Sequence, residues 1–95
     1  MRLSANQKDV LFVLLAVEQK GNSNPVQSTV LLKLINSSRS SDIFASNLRE
    51  SCHTLNGNGL INKYRSSSLK LAWKLTDKGR EIASKVYKSK LKESA

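Results

Sequence analysis

The N-terminal part of the chain spaces its apolar residues with the period of an α-helix, which we expect over residues 5–20. Ser4 and Gln7 have the spacing of a capping box at its start, and Gly21 is a typical stop. Between positions 10 and 17 the apolar residues surround almost the whole helix. A helix of this kind is buried on more than one side, either at the centre of the fold or in a dimer interface.

The same period predicts two further helices. Asn24-Pro25 is a start signal, and the apolar residues that follow are spaced for a helix over 26–36. The serine-rich segment 37–41 interrupts the pattern and is expected to supply the cap of a third helix, over residues 42–56. The apolar positions of this third helix share one face: Phe44, Leu48, Cys52 and Leu55.

After Gly59 the period changes from helical to alternating. Two short strands are predicted within residues 60–75, joined by a hairpin turn at 65–68. In the second strand, apolar and other residues alternate, as expected when one face is buried: Leu69, Leu71, Trp73 and Leu75 against Lys70, Ala72 and Lys74. Thr76-Asp77 then caps a fourth helix over 77–92. The predicted order is α-α-α-β-β-α, a mainly α single domain of residues 1–95 with a small β-hairpin.

The charge of the chain is strongly positive and unevenly distributed. Sixteen Lys and Arg against seven Asp and Glu give a net charge of +9, of which +7 falls after Asn62. Such a field attracts a polyanion, and nucleic acid is the commonest partner of a folded basic domain. An anionic membrane surface is the competing partner, and a charge that only keeps the protein soluble is the simplest alternative.

Several classes of function have no support in the sequence. Cys52 is the only cysteine and His53 the only histidine, so neither a disulfide nor an unaided zinc site is expected. Adjacent residues point about 100° apart on a helix, so these two cannot form a nucleophile–base pair. No glycine-rich phosphate loop or carboxylate pair occurs, and we expect no enzyme, no metal and no cofactor. The apolar stretch at 10–17 is too short for a membrane span and lacks the pattern of a signal peptide, so a cytoplasmic protein is expected.

Two passages together resemble the winged helix-turn-helix regulators of the PadR and MarR families. Residues 55–61, LNGNGLI, are similar to the L-x-x-x-G-L-I that ends their recognition helix. Residues 73–83, WKLTDKGREIA, resemble the aromatic-x-L-T-x-x-G-R-x-x-A passage that connects the wing to the next helix. The resemblance covers roughly residues 5–92 and implies a winged helix fold, a double-stranded DNA partner and a homodimer. The segment between Ile35 and Leu48 is longer than in the compact MarR type, which places the start of the recognition helix between Asp42 and Ala45.

The resemblance implies that the third helix enters the major groove of DNA. Its exposed face would contact bases or backbone through Ser46, Asn47, Arg49 and His53. Arg49 is the leading candidate, because a bidentate Arg–guanine contact contributes ~1–3 kcal/mol of discrimination. Alternatively, Arg49 is an ordinary surface charge that pairs with Glu50 or with solvent.

The remaining candidate contacts are to phosphate and carry no sequence information. Ser38, Arg39 and Ser40 precede the recognition helix, and Lys63, Arg65 and Lys70 lie on the predicted wing, with Lys74 at its base. The lysines of the last helix are expected to form a solvated face: Lys78, Lys85, Lys88 and Lys92. Trp73 is expected in the core or in an interface rather than as a platform for stacked bases.

The function predicted from these observations is a sequence-specific transcription regulator such as a repressor, although the sequence does not determine whether it represses or activates. Two alternatives stay open. One is a DNA-binding accessory factor for replication, partition or transfer of a mobile element, which would use the same contacts. The other is a winged helix that binds protein or RNA, since a fold alone does not fix a function. The sequence gives neither a target site nor a small-molecule effector.

Overall fold

The computed structural model describes residues 2–37, 42–65 and 70–93. Within these ranges the chain forms four helices and three short strands in this order: α1 (Ala5–Gln19), β1 (Val26–Gln27), α2 (Ser28–Ser37), α3 (Ala45–Gly57), β2 (Ile61–Arg65), β3 (Leu71–Leu75) and α4 (Asp77–Glu93). Among these described residues, none of the helices is both long enough and apolar enough to cross a membrane.

Helix α1 lies at the centre of the fold. The predicted capping box is present at its start, where Ser4 Oγ accepts from the Gln7 N–H and Gln7 Oε1 accepts from the Ser4 N–H. Gly21, just past its end, has φ +97°, a conformation that glycine adopts at little cost. The apolar middle of α1 packs against α2, α3, α4 and β3, so Val10 and Leu11 are wholly buried. Contacts within the protomer therefore bury α1 on more than one side, as the sequence predicted.

The sheet has three strands in the order β1-β3-β2, all antiparallel, whereas the sequence predicted two. Val26 and Gln27 pair with Trp73 and Ala72, so the predicted helix over 26–36 was wrong at its first two residues. Helix α2 begins only at Ser28, and Asn24-Pro25 precedes a strand rather than capping a helix. Hydrogen bonding to the distant β3 extends the backbone here and overrides the local start signal.

Helix α3 begins at Ala45, the later of the two predicted starts. Its N-cap residue is Phe44, whose side chain makes no capping hydrogen bond, so the expectation of a serine cap was wrong. Phe44 was also predicted to lie on the apolar face, but it precedes the helix and is 73% exposed. The preceding Ile43 is fixed instead by Asn36, whose side chain accepts from the Ile43 N–H at 2.9 Å and donates to its carbonyl.

The end of α3, the start of β2 and the start of α4 meet at one junction. Gly59 has φ +77° and lets the chain turn out of α3. Thr76 caps α4, as predicted: its Oγ1 accepts from the Gly79 N–H at 2.9 Å and donates to the Gly59 carbonyl at 2.7 Å. The Thr76 N–H also donates to the Leu60 carbonyl. The junction therefore fixes the hairpin relative to the end of α3.

Helix α4 runs antiparallel to α1 and contacts it through side-chain pairs at three points along its length. Lys90 pairs with Asp9 at 2.7 Å, Tyr87 stacks on Phe12 with ring centroids 5.0 Å apart, and Arg80 pairs with Glu18 at 2.8 Å. The hydrogen bond to Glu18 raises the pKa of the Arg80 guanidinium above its usual value. These contacts make α1 and α4 one packed pair.

Candidate nucleic-acid interface

Helix α3 presents one apolar and one polar face. Leu48, Cys52 and Leu55 are buried against α1 and the hairpin, as predicted. The four predicted contact residues of this helix are all exposed to solvent: Ser46, Asn47, Arg49 and His53. The outward face of α3 is therefore free of the protein core along its whole length, which the proposed insertion into a groove requires.

His53 lies where α3 meets the hairpin. Its ring contacts the edge of the Trp73 indole, with centroids 5.4 Å apart and an interplanar angle of 88°. Trp73 is buried, and its Nε1–H donates to Ser28 Oγ at 2.8 Å. Ser28 Oγ in turn donates to the Leu71 carbonyl at 3.4 Å. Trp73 is thus a core residue, as expected, and it fixes the position of His53 relative to the sheet.

The strand register determines which face of the hairpin carries its positive charges. Lys63 is opposite Trp73, and Arg65 is opposite Leu71. Cross-strand partners in an antiparallel pair have their side chains on the same face. Lys63 and Arg65 therefore share the face of Trp73, the residue that contacts α3 through His53, and both are exposed. Two of the predicted wing cations thus lie on the side of the sheet that faces α3.

The other predicted wing residues occupy different positions. Lys70 directly precedes β3 and is exposed. Lys74 pairs with Asn62 on the opposite face of the hairpin, and its ammonium donates to the Ser23 carbonyl. Ala72 shares that face and is buried, so the simple alternation of buried and exposed residues predicted for β3 fails there.

The basic side chains of α3 and β2 are largely unneutralised. Within the described ranges, Arg49 forms no ion pair, with Glu50 or with any other carboxylate. Lys63 and Arg65 likewise have no carboxylate partner in the part of the chain that is described. Unpaired cations of this kind are available to an anionic ligand without the cost of breaking an existing pair.

A polar depression of about 220 Å³ lies on the flank of α3 away from the hairpin. It is formed between α3 and the N-terminus of α1, and polar residues line it: Ser4, Asn6, Gln7, Asn47, Glu50, Ser51 and Thr54. Ser51 is a buried polar residue on this flank, which helical spacing alone did not distinguish from the exposed serines. The outward face of α3 is thus bordered by the basic side of the hairpin and by this depression, where Glu50 supplies a negative charge.

Three predicted contact residues, Ser38, Arg39 and Ser40, lie outside the described residues. One exposed residue that the sequence analysis did not single out is Tyr64, 42% exposed between Lys63 and Arg65 in β2. The position of Tyr64 between these two basic residues was the feature of the sequence that could have identified it. The register places Tyr64 with Ala72, on the face of the hairpin opposite to Trp73.

Two kinds of side chain that often take part in chemistry are the cysteine thiol and potential metal ligands. Cys52 is fully buried, and burial raises the pKa of its thiol to about 12. The nucleophilic thiolate is therefore scarce at neutral pH. Within residues 2–37, 42–65 and 70–93, no group of three or more His, Cys, Asp and Glu side chains is placed to hold a metal ion.

Comparisons with known proteins place this arrangement in a described fold. No family model and no curated protein matches the chain. Among solved structures it is similar to a candidate DNA-binding protein of Ralstonia eutropha JMP134, with a TM-score of 0.72, 19% identity, and coverage of 90% of this chain and 99% of the other. It is also similar to MepR, a transcription regulator of the Staphylococcus aureus multidrug efflux pump MepA (TM-score 0.71, 14% identity, 97% of this chain and 62% of MepR). A third is the adhesin competence repressor AdcR of Streptococcus pyogenes (TM-score 0.73, 16% identity, 97% of this chain and 60% of AdcR).

The chain thus spans nearly the whole Ralstonia protein but less than two thirds of MepR and AdcR. At identities below 20%, these similarities establish the fold and leave the activity open. Four helices, a three-stranded antiparallel sheet and these structural neighbours together show that the chain has the winged helix fold.

Proposed function

We propose that this protein is a sequence-specific transcription regulator that binds double-stranded DNA by placing α3 in the major groove. The observation that carries the proposal is the continuity of the exposed α3 face with the basic side of the hairpin. The His53–Trp73 contact joins the two, and Lys63 lies opposite Trp73 in the sheet. A helix and a positively charged hairpin on one side can engage a groove and the adjacent backbone together.

Base contacts are assigned to Ser46, Asn47, Arg49 and His53, the exposed residues of α3. Arg49 has no ion pair to give up within the described chain, and its planar guanidinium can donate two parallel hydrogen bonds to guanine. Asn47 can make the corresponding bidentate contact to adenine. The first turn of α3 has no acidic residue and no side-chain cap, so its backbone N–H groups can donate to a phosphate.

Backbone contacts are assigned to the hairpin and to the segment before α3. Lys63, Arg65 and Lys70 would neutralise phosphates and release counterions, which adds affinity without base preference. Ser38, Arg39 and Ser40 are assigned the same role from their place in the sequence. The strands contribute five residues each, so the hairpin is short and reaches mainly the nearest backbone.

We further propose that the protein acts in the cytoplasm as a homodimer and a repressor. A helix-turn-helix dimer binds two half-sites related by its own symmetry. AdcR, one of the structural neighbours, is a repressor by name. Most of the apolar surface of α1 is buried within the protomer, and a dimer interface formed by the first and the C-terminal helix stays a prediction from the sequence.

The test begins with selection of bound fragments from a random pool of duplex DNA, which supplies a cognate site. Arg49→Ala is then compared with the wild type on the cognate site and on random duplex. Lys33→Ala is the matched control, because Lys33 is an exposed cation on α2, outside the proposed interface. Loss of one bidentate base contact should weaken cognate binding by roughly 5- to 150-fold, which corresponds to ~1–3 kcal/mol.

Random-duplex affinity of Arg49→Ala should fall only a few-fold, and Lys33→Ala should bind both duplexes like the wild type. Equal losses on cognate and random DNA would show that Arg49 contacts no base. Selection that enriches no sequence would contradict sequence-specific regulation and favour an accessory DNA-binding role.

A further inference from the structure

Helix α4 presents a lysine-rich outer face that the proposed α3 interface does not use. Its inner positions, which include Gly79, Ala83 and Val86, are buried against the rest of the fold. On the opposite side of the helix, three lysines and two acidic residues are exposed to solvent: Asp77, Lys78, Glu81, Lys85 and Lys88. We call Lys78, Lys85 and Lys88 the lysine face.

The basic residues of α4 fall into two groups according to their partners. Arg80 pairs with Glu18 and Asp77, and Lys90 pairs with Asp9, so both serve the contact between α1 and α4. Within the described ranges, none of the three lysines of the lysine face forms an ion pair. The cations needed for the fold are thus neutralised, whereas those on the outer face are left for solvent or for a ligand.

The part of α4 that carries Lys85 and Lys88 lies on a different side of α1 from the flank of α3 that borders Gln7. Helix α1 lies between the two helices and packs against both. Gln7 lines the depression beside α3, and Phe12 stacks on Tyr87 of α4. Five residues at 100° each place Gln7 and Phe12 about 140° apart around the α1 axis. A duplex held by α3 therefore leaves the lysine face uncovered.

We propose, on the basis of the DNA-binding function above, that the lysine face binds the phosphate backbone of a second DNA duplex, so that one protomer holds two duplex segments. From Lys78 to Lys88 the helix rises about 15 Å at 1.5 Å per residue. Phosphates along one strand of duplex DNA are spaced about 3.4 Å along its axis, so this length faces roughly four of them. Lysine ammonium groups act as point charges and select no sequence.

The chemistry of this face favours nucleic acid over an anionic membrane. Binding of a helix to a bilayer surface needs an apolar side that enters the acyl boundary. From Asp77 to Lys90 of α4, the apolar residues are buried or half-buried in the fold, and none is a large exposed hydrophobic side chain. Three exposed lysines along one side of a helix, with Glu81 among them, can instead lie beside the phosphates of a DNA backbone.

The experiment measures bridging of two duplexes labelled with different dyes, one carrying the selected cognate site and one of random sequence. Bridging is detected as energy transfer or two-colour coincidence at low salt. The test variant is Lys78→Gln/Lys85→Gln/Lys88→Gln. The control Lys8→Gln/Lys20→Gln/Lys33→Gln removes the same number of charges from exposed positions on α1, just after it and on α2.

The wild type and the control should bridge the duplexes. The lysine-face variant should lose bridging at least about tenfold while its affinity for a single cognate duplex changes less than about threefold. Bridging by this variant at the wild-type level, or an equal loss in the control, would overturn the lysine face and leave the role of α3 intact. Loss of all duplex binding in the lysine-face variant would instead overturn the two-duplex arrangement and α3 as the principal site.

Vesicles with anionic lipid provide the last arm of the experiment. Lysine-dependent binding to vesicles, together with bridging that does not depend on these lysines, would assign the face to a membrane surface and overturn the proposal. Circular dichroism of each variant confirms that the fold is retained, as expected for exchanges at exposed positions.

Discussion

Replacing Gly79 by alanine tests the junction that joins α4 to the end of α3. Alanine normally favours a helix interior over glycine by about 1 kcal/mol. At Gly79, however, an added Cβ would lie 1.7 Å from the Leu60 carbonyl oxygen and 2.6 Å from its carbonyl carbon. Both neighbours are backbone atoms, so the contact cannot be relieved by rotation of a side chain.

The size of the expected loss of stability follows from how far α4 must move to make room for the added Cβ. Bringing the Cβ–oxygen distance from 1.7 Å to a tolerable separation moves the first turn of α4 away from Leu60 by more than about 1 Å. This movement stretches the bond from the Thr76 N–H to the Leu60 carbonyl, now 3.1 Å long. Overpacking costs about 1–3 kcal/mol and a lost hydrogen bond about 1 kcal/mol more. After subtraction of the helix propensity gain, Gly79→Ala should destabilise the protein by about 2 kcal/mol.

The assay is thermal and urea unfolding followed by far-UV circular dichroism. A loss of about 2 kcal/mol lowers the Tm of a domain of this size by roughly 10 °C. Gly57→Ala is the matched control, because nothing lies within 4 Å of a Cβ added at this helical position. The control should be neutral or slightly stabilised. A Gly79→Ala protein as stable as the wild type would refute the close approach of α4 to Leu60.

Two further predictions concern the core beneath the candidate interface. Ser28→Ala should destabilise the protein by about 1–3 kcal/mol in urea unfolding, because it leaves the buried Trp73 indole N–H without its acceptor. A loss no larger than that of Ser37→Ala, whose exposed hydroxyl donates to the Leu34 carbonyl, would contradict this role. The Cys52 thiol should resist a disulfide exchange reagent in the folded protein, since raising its pKa from 9.0 to about 12 lowers the thiolate fraction at pH 8 by about a thousandfold. Because the folded pKa is the higher one, this group should also cost stability as the pH rises from about 9 towards 12, a loss that Cys52→Ala should lack. Fast labelling under native conditions would show that the thiol is accessible.

Local sequence patterns predicted the helices and the hairpin, but they could not predict contacts made over long distances in the chain. The capping box of Ser4 and Gln7 and the cap at Thr76 depend on residues three positions apart, so the sequence contains them directly. Strand β1 has two residues and gains its hydrogen bonds from β3, more than 40 positions later. No periodicity can be recognised in a segment of that length, and the Asn24-Pro25 signal pointed to a helix instead.

In the candidate site, too, the features set by the local sequence were predicted, whereas those set by strand pairing were not. Exposure of Ser46, Asn47, Arg49 and His53 followed from the helical period, because the buried stripe of α3 is clear. Phe44 was misplaced because the period was extended one residue beyond the true start of the helix. The side of the hairpin on which Lys63 and Lys74 lie depends on the strand register, which the sequence did not specify.

The central claim is that basic residues of the hairpin and of the segment before α3 neutralise the backbone of duplex DNA beside α3. Its most direct test is the affinity for a random duplex at increasing salt. The four basic residues assigned to the backbone, Arg39, Lys63, Arg65 and Lys70, predict a slope of log affinity against log salt of about −3 to −4, or a loss of about a hundredfold between 50 and 200 mM salt. Lys63→Gln/Arg65→Gln should make this slope about two units shallower, whereas a flat response in the wild type, or a slope unchanged in the variant, would contradict the claim.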